Sequence, residues 1–100
     1  MPTGLKIVLS KRADKDFDNI INYIKEEFGS QPAIKFKNLI INFLSLLQSF
    51  PEIGSHEVTE KQIRAFVAHK RLKIFYRIDK DRVIILRLFD TRQHPDKHIV

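Results

Sequence analysis

The stretch Arg71-Leu72-Lys73-Ile74-Phe75-Tyr76-Arg77-Ile78, and the run Val83-Ile84-Ile85-Leu86-Arg87-Leu88-Phe89-Asp90 that follows it, decide how this chain folds. Both are rich in β-branched and aromatic side chains, and both have strand length. Asp79-Lys80-Asp81-Arg82 links them, which is hairpin length. Upstream, Ile63 to Ala68 reads as another strand, joined to Leu72 through His69-Lys70-Arg71. Together 63–68, 72–78 and 83–90 predict an antiparallel meander.

Residues 51–62 are polar, hold Pro51 and Gly54, and read as a loop. Before that loop the period is helical. Ala33, Phe36, Leu39, Ile40, Phe43, Leu44 and Leu47 make one stripe, widened by Ile41, Leu46 and Phe50 and stopped at Pro51. Pro32 suits a first helical turn, with Ser30 or Gln31 as the cap. Phe17, Ile20, Ile21, Ile24 and Phe28 form a second stripe from about Lys11, closed by Gly29 in a left-handed cap. Asp14, Asp16 and Asp18 sit near its start, where the helix dipole favours carboxylates. At spacing two they point apart, so they read as a solvated turn and not as a metal site. Leu5 to Leu9 predicts a short first strand. The order is β-α-α-β-β-β: an α+β domain over residues 1–100, with a helical hairpin packed on one face of an antiparallel sheet.

Alternation then divides the strands into two faces. Ile63, Ala65, Val67, Leu72, Ile74, Tyr76, Ile78, Ile84, Leu86 and Leu88 are nearly all apolar and are assigned to the helices. The opposite set is Arg64, Phe66, Ala68, Lys73, Phe75, Arg77, Val83, Ile85, Arg87 and Phe89, where cations alternate with rings. Unpaired cations are seldom buried, so this face is expected to be open. Such a surface can hold phosphates and stack bases, or seat an acidic, partly apolar peptide.

Charge fits an anionic partner, or a surplus that only aids solubility. The chain carries a net +6, and residues 61–100 hold eleven Lys/Arg against four Asp/Glu. With no cysteine there is neither disulfide, thiolate–zinc site nor cysteine nucleophile. Three glycines, Gly4, Gly29 and Gly54, make no phosphate loop, and no G-x-S-x-G elbow occurs. His56, His69, His94 and His98 lack ligand spacing, so neither metal nor cofactor is expected. The most apolar stretch, Leu39 to Phe50, is too short to span a bilayer and is broken by Asn42, Ser45 and Gln48. The chain reads as a soluble, cytoplasmic protein without a membrane partner.

A helical hairpin followed by a basic meander resembles the RelE/ParE superfamily, the toxins of type II toxin–antitoxin pairs, which include plasmid stabilisation proteins. The resemblance rests on Arg71 to Ile78 and on Val83 to Asp90. It rests also on Thr91-Arg92-Gln93-His94-Pro95, which is similar to the family's Arg-x-x-Pro ending, and on Leu9-Ser10 leading into a helix with Ala13, Phe17 and Ile20 to Ile24. It implies a cognate antitoxin and one of two targets. RelE-like members cut messenger RNA on the ribosome; ParE-like members block DNA gyrase.

The residues of the ribonuclease branch carry over in part. Arg64 falls near a lysine of the second strand, but Phe66 stands where the next lysine would be. Lys73 stands near an arginine that stabilises the scissile phosphate, and Arg92 near the arginine after the last strand. The late tyrosine has no equivalent in Lys97-His98-Ile99-Val100, so proton transfer would fall to His94 or His98. The catalytic set for that branch is thus Arg64, Lys73, Arg92 and His94. The set for binding a target or antitoxin is Arg64, Phe66, Lys73, Phe75, Arg77, Arg87, Phe89 and Arg92. The departures at Phe66 and at the tyrosine favour the ParE-like reading over the ribosome-dependent endoribonuclease. A nucleic-acid-binding module without toxicity is the third reading. The sequence does not specify the oligomeric state.

Overall fold

Ser10 is the corner on which the fold turns. The computed structural model describes residues 5–58 and 61–91. Its elements are β1 (Lys6–Leu9), α1 (Lys11–Phe28), α2 (Ser30–Ser49), β2 (Ser55–Val58), β3 (Ile63–His69), β4 (Leu72–Asp79) and β5 (Arg82–Asp90). Ser10 Oγ accepts from the Ala13 amide at 3.1 Å, capping α1. The same hydroxyl donates to the Leu86 carbonyl at 3.1 Å, and the Ser10 amide donates to the Ile85 carbonyl at 3.0 Å. One residue therefore ends β1, starts α1 and ties both to β5.

The five strands form one sheet in the order β1-β5-β4-β3-β2. β1 runs parallel to β5, and the other neighbours are antiparallel. The expected α+β arrangement holds, with two helices over one face of the sheet. One strand was not expected. β2 lies within the segment read as a loop and pairs with the start of β3, Ser55 opposite Ala65 and His56 opposite Arg64. Its sequence, Ser-His-Glu-Val, is polar because it is an exposed sheet edge, where charge discourages further pairing.

Gly29 ends α1 with φ +100, and its amide donates to the Lys25 carbonyl. It is also the single residue between the helices, and it occupies the cap position of α2 with no side-chain bond; neither Ser30 nor Gln31 caps it. A positive φ suits glycine, because a Cβ there would crowd its own backbone. The helical stripes pack as the period predicts: Ala13, Ile20 and Ile24 meet Ala33, Phe36, Ile40, Leu44 and Leu47 over Leu72, Ile74, Tyr76, Val83, Ile85 and Leu88. Each fully buried aliphatic contributes about 1.5–3 kcal/mol. Phe28, Ile41 and Phe50, expected in the stripes, are exposed instead. They lie at the helix ends or on the outer side of α2.

Tyr76 is fully buried, and its hydroxyl donates to the Pro51 carbonyl and accepts from the Gly54 amide, both at 2.8 Å. Burial pushes its phenol above the ordinary 10.0, against the opposing pull of the Gly54 amide and the Arg64 charge. This clamp fixes the turn that leads α2 into β2.

Candidate functional site

The face of the sheet turned away from the helices holds its own small cluster: Ala65, Phe75 and Phe89, flanked by Ile63 and Leu86. The Phe75 and Phe89 rings meet edge to face at 5.7 Å. Lys73 Nζ lies 5.0 Å from the Phe75 ring centre, and Arg87 Cζ lies 4.7 Å from that of Phe89. These are two cation-over-ring stacks side by side, each worth about 0.5–2 kcal/mol. The alternation on β4 is as expected: Lys73, Phe75 and Arg77 face outward, and Leu72, Ile74 and Tyr76 lie under the helices.

On β3 the parity is the reverse of the expected one. Arg64 is opposite Tyr76, and Phe66 is opposite Ile74, so both belong to the helix side. Phe66 packs edge to face on Phe43 of α2 at 5.8 Å. A phenyl ring there buries more apolar area than valine would, and Val67 is left 65% exposed on the open face. Arg64 avoids isolation because its guanidinium donates to the Gly54 carbonyl at 2.9 Å and the Glu52 carbonyl at 3.4 Å. Neither Arg64 nor Phe66 belongs to the open face.

On β5 the parity changes midway. Phe75 is opposite Arg87, yet Tyr76 is opposite Ile85, so Leu86 is the extra residue of a bulge. Before the bulge, Val83 and Ile85 point to the helices, contrary to expectation, and Ile84 points outward; after it, Arg87 and Phe89 are outward as expected. The open face thus gains Ile63, Ala65, Val67, Ile84 and Leu86, and is more apolar than the sequence alternation implies.

Its charges are also largely engaged. Arg87 Nε donates to Asp16 Oδ2 at 2.8 Å, and its Nη2 donates to Oδ1 at 3.2 Å. The Leu88 amide donates to the same Oδ2 at 3.0 Å. Asp16 is therefore no solvated first-turn acid: it stands where β1 has ended and supplies β5 with an acceptor. Lys73 lies 4.0 Å from Glu57, and Arg82 lies 3.3 Å from Asp79. Arg77 is exposed and has no carboxylate within ion-pair reach among the described residues. It borders a concavity of about 640 Å³ together with Lys61, Gln62, Ile63, Asp79 and Leu86. Lys61 and Gln62 were hidden in the polar segment before β3. Nothing in the local pattern of 61–62 or around Asp16 signals these roles. Arg92 and His94 lie outside the described residues. His56 is opposite Arg64 and His69 opposite Leu72, so neither joins the Lys73–Arg87 group.

The chain matches the family model of the ParE toxin of type II toxin–antitoxin systems, parDE, over residues 7–95. It belongs to the ParE toxin family. No curated protein sequence matches it. Among solved structures, this ParE-family chain is similar to one from P. aeruginosa described as a chromosomal ParDE toxin–antitoxin system, at 20% identity and TM-score 0.75, covering 88% of this chain and 97% of that one. It is also similar to a copper-bound point-mutant toxin from Helicobacter pylori, at 19% identity and TM-score 0.60, covering 89% and 97%. At such identities these structures show that the ParE-family chain shares their fold. It is a toxin of a type II toxin–antitoxin system. Among the described residues no helix is long and apolar enough to cross a membrane, and no three potential ligands gather to hold a metal ion.

Proposed function

We propose that this ParE-family toxin arrests growth by binding a macromolecular target, DNA gyrase in preference to the ribosome and its message, without chemistry of its own. A cognate antitoxin protein neutralises it by covering the open face of the sheet, in the cytoplasm where the target lies. The observation that supports this most is the composition of that face. Cutting RNA through its 2′-hydroxyl requires free cations at the phosphate and a group that moves a proton. Arg64 is turned to the helix side, and Arg87 is held by Asp16. Ile63, Ala65, Ile84 and Leu86 join Phe75 and Phe89 instead. An apolar centre with charged margins suits a protein partner better than a polyanion.

The test begins with induction of the toxin alone in bacteria. Arrest with intact messages, with loss of supercoiling by purified gyrase on addition of the toxin, supports the proposal. Codon-positioned breaks mapped by primer extension would instead assign Lys73, Arg92 and His94 to cleavage. Normal growth at good expression would leave a nucleic-acid-binding module.

A further inference from the structure

We infer that the concavity around Arg77 is a carboxylate-reading pocket that seats an acidic residue and an adjoining apolar side chain of the antitoxin. The inference rests on the toxin–antitoxin reading above. Its floor is Ile63 and Leu86, which pack against the Ala65, Phe75 and Phe89 cluster and so are firmly placed. Its rim carries Arg77 and Lys61, both exposed. The third charge, Asp79, is engaged by Arg82. The pocket is therefore net positive over an apolar base, and its volume of about 640 Å³ falls in the range of ligand sites.

Gln62 shapes the rim. Its φ of +58 is left-handed, which costs a residue with a Cβ about 1–2 kcal/mol. Lys80 shares this conformation, φ +55, in the two-residue link between Asp79 and Arg82, and Gln62 likewise lies in the link between β2 and β3. At Gln62 this link borders the concavity.

The occupant follows from charge. Arg77 offers a planar fork that grips a carboxylate through two bonds. A nucleic-acid backbone would bring several phosphates across a face that also carries Asp79 and Glu57, with Arg77 and Lys61 to receive them. A single carboxylate beside an apolar side chain satisfies the pocket. It sits four residues along β4 from Lys73, or roughly 13 Å, at the end of the sheet remote from the Lys73–Phe89 pair.

The test titrates the purified antitoxin onto the full-length toxin by calorimetry. Arg77→Ala is expected to weaken the complex about tenfold and Arg77→Glu about a hundredfold, mostly through faster dissociation. Lys61→Glu has a smaller effect in the same direction, and Lys35→Glu, on the exposed side of α2, changes affinity less than about twofold. An antitoxin in which one acidic residue is replaced by arginine should recover affinity for Arg77→Glu, and that rescue does not depend on how well the single variant folds. Unchanged affinity for Arg77→Glu overturns the pocket and leaves the toxin reading standing. Loss of binding to a twelve-nucleotide oligouridylate with antitoxin affinity intact overturns it in favour of nucleic acid. A wild-type toxin that neither arrests growth nor binds the antitoxin overturns both.

Discussion

Asp16, on the second turn of α1, grips Arg87 of β5 through two hydrogen bonds across 71 residues of sequence, and with the same carboxylate receives the Leu88 amide. β1 ends opposite Ile85, so beyond that point β5 has lost its parallel neighbour. The carboxylate replaces a strand carbonyl and at the same time positions Arg87 over Phe89. Asp16→Ala leaves the Leu88 amide and the guanidinium without their acceptor. We expect a loss of about 2–3 kcal/mol in denaturant unfolding, with Asp16→Asn losing about half as much because one oxygen remains.

Removing the Tyr76 hydroxyl strips the Gly54 amide and the Pro51 carbonyl of a buried partner. Tyr76→Phe is expected to cost about 1–3 kcal/mol. The pH dependence has a definite sign. Burial raises the folded phenol above 10.0, so in alkali the unfolded chain loses this proton first. The contribution is complete below 10.0 and declines as pH rises through the folded value. Melting curves from neutral pH upward should fall off above that point more steeply for the wild type than for Tyr76→Phe.

Gly54 is enclosed. A Cβ built there would meet the Tyr76 hydroxyl at 2.7 Å and the Ala65 carbonyl at 2.8 Å. The second obstacle is backbone and cannot rotate away. Gly54→Ala should therefore destabilise by about 1–3 kcal/mol, and combining it with Tyr76→Phe should cost less than the sum, because one clash is relieved. A double-mutant cycle in urea measures the difference.

Arg64 gives a test of the corrected face. Its guanidinium serves the carbonyls of Glu52 and Gly54, on the helix side of β3. Arg64→Ala is expected to lower stability by about 1 kcal/mol and to leave growth arrest intact in an induction assay. Lys73→Glu, on the open face, is expected to blunt the arrest at equal expression.

How much of this was legible in the chain depended on whether the signal was local. Ile20, Ile24, Ile40, Leu44 and Leu47 announce both helices by spacing, and Gly29 marks their junction within a residue. Leu72, Ile74 and Tyr76 alternate cleanly because β4 is central and paired on both sides. β3 did not yield to the same reading: Ile63-Arg64-Ala65-Phe66-Val67 has an apolar residue at every position but one, and the choice of face was made by Phe43, in a separate element. β5 failed at its bulge, since alternation counts residues and a bulge adds one. The Asp16–Arg87 pair and the Lys61–Arg77 rim are meetings of distant segments that no short-range pattern encodes.

The pairing of Lys6 with Arg82 and of Leu9 with Ile85 makes the first strand wait for the last. A ribosome delivers Ile85 long after Leu9, and until then Ser10 has neither of the β5 carbonyls it binds. Long-range pairing of this kind is slow to form and cannot begin early. A translation product that stops short of β5 leaves α1 without its place on the sheet and β4 with β3 as its one neighbour. Messages truncated before β5 are therefore expected to yield fragments that lack the five-stranded sheet.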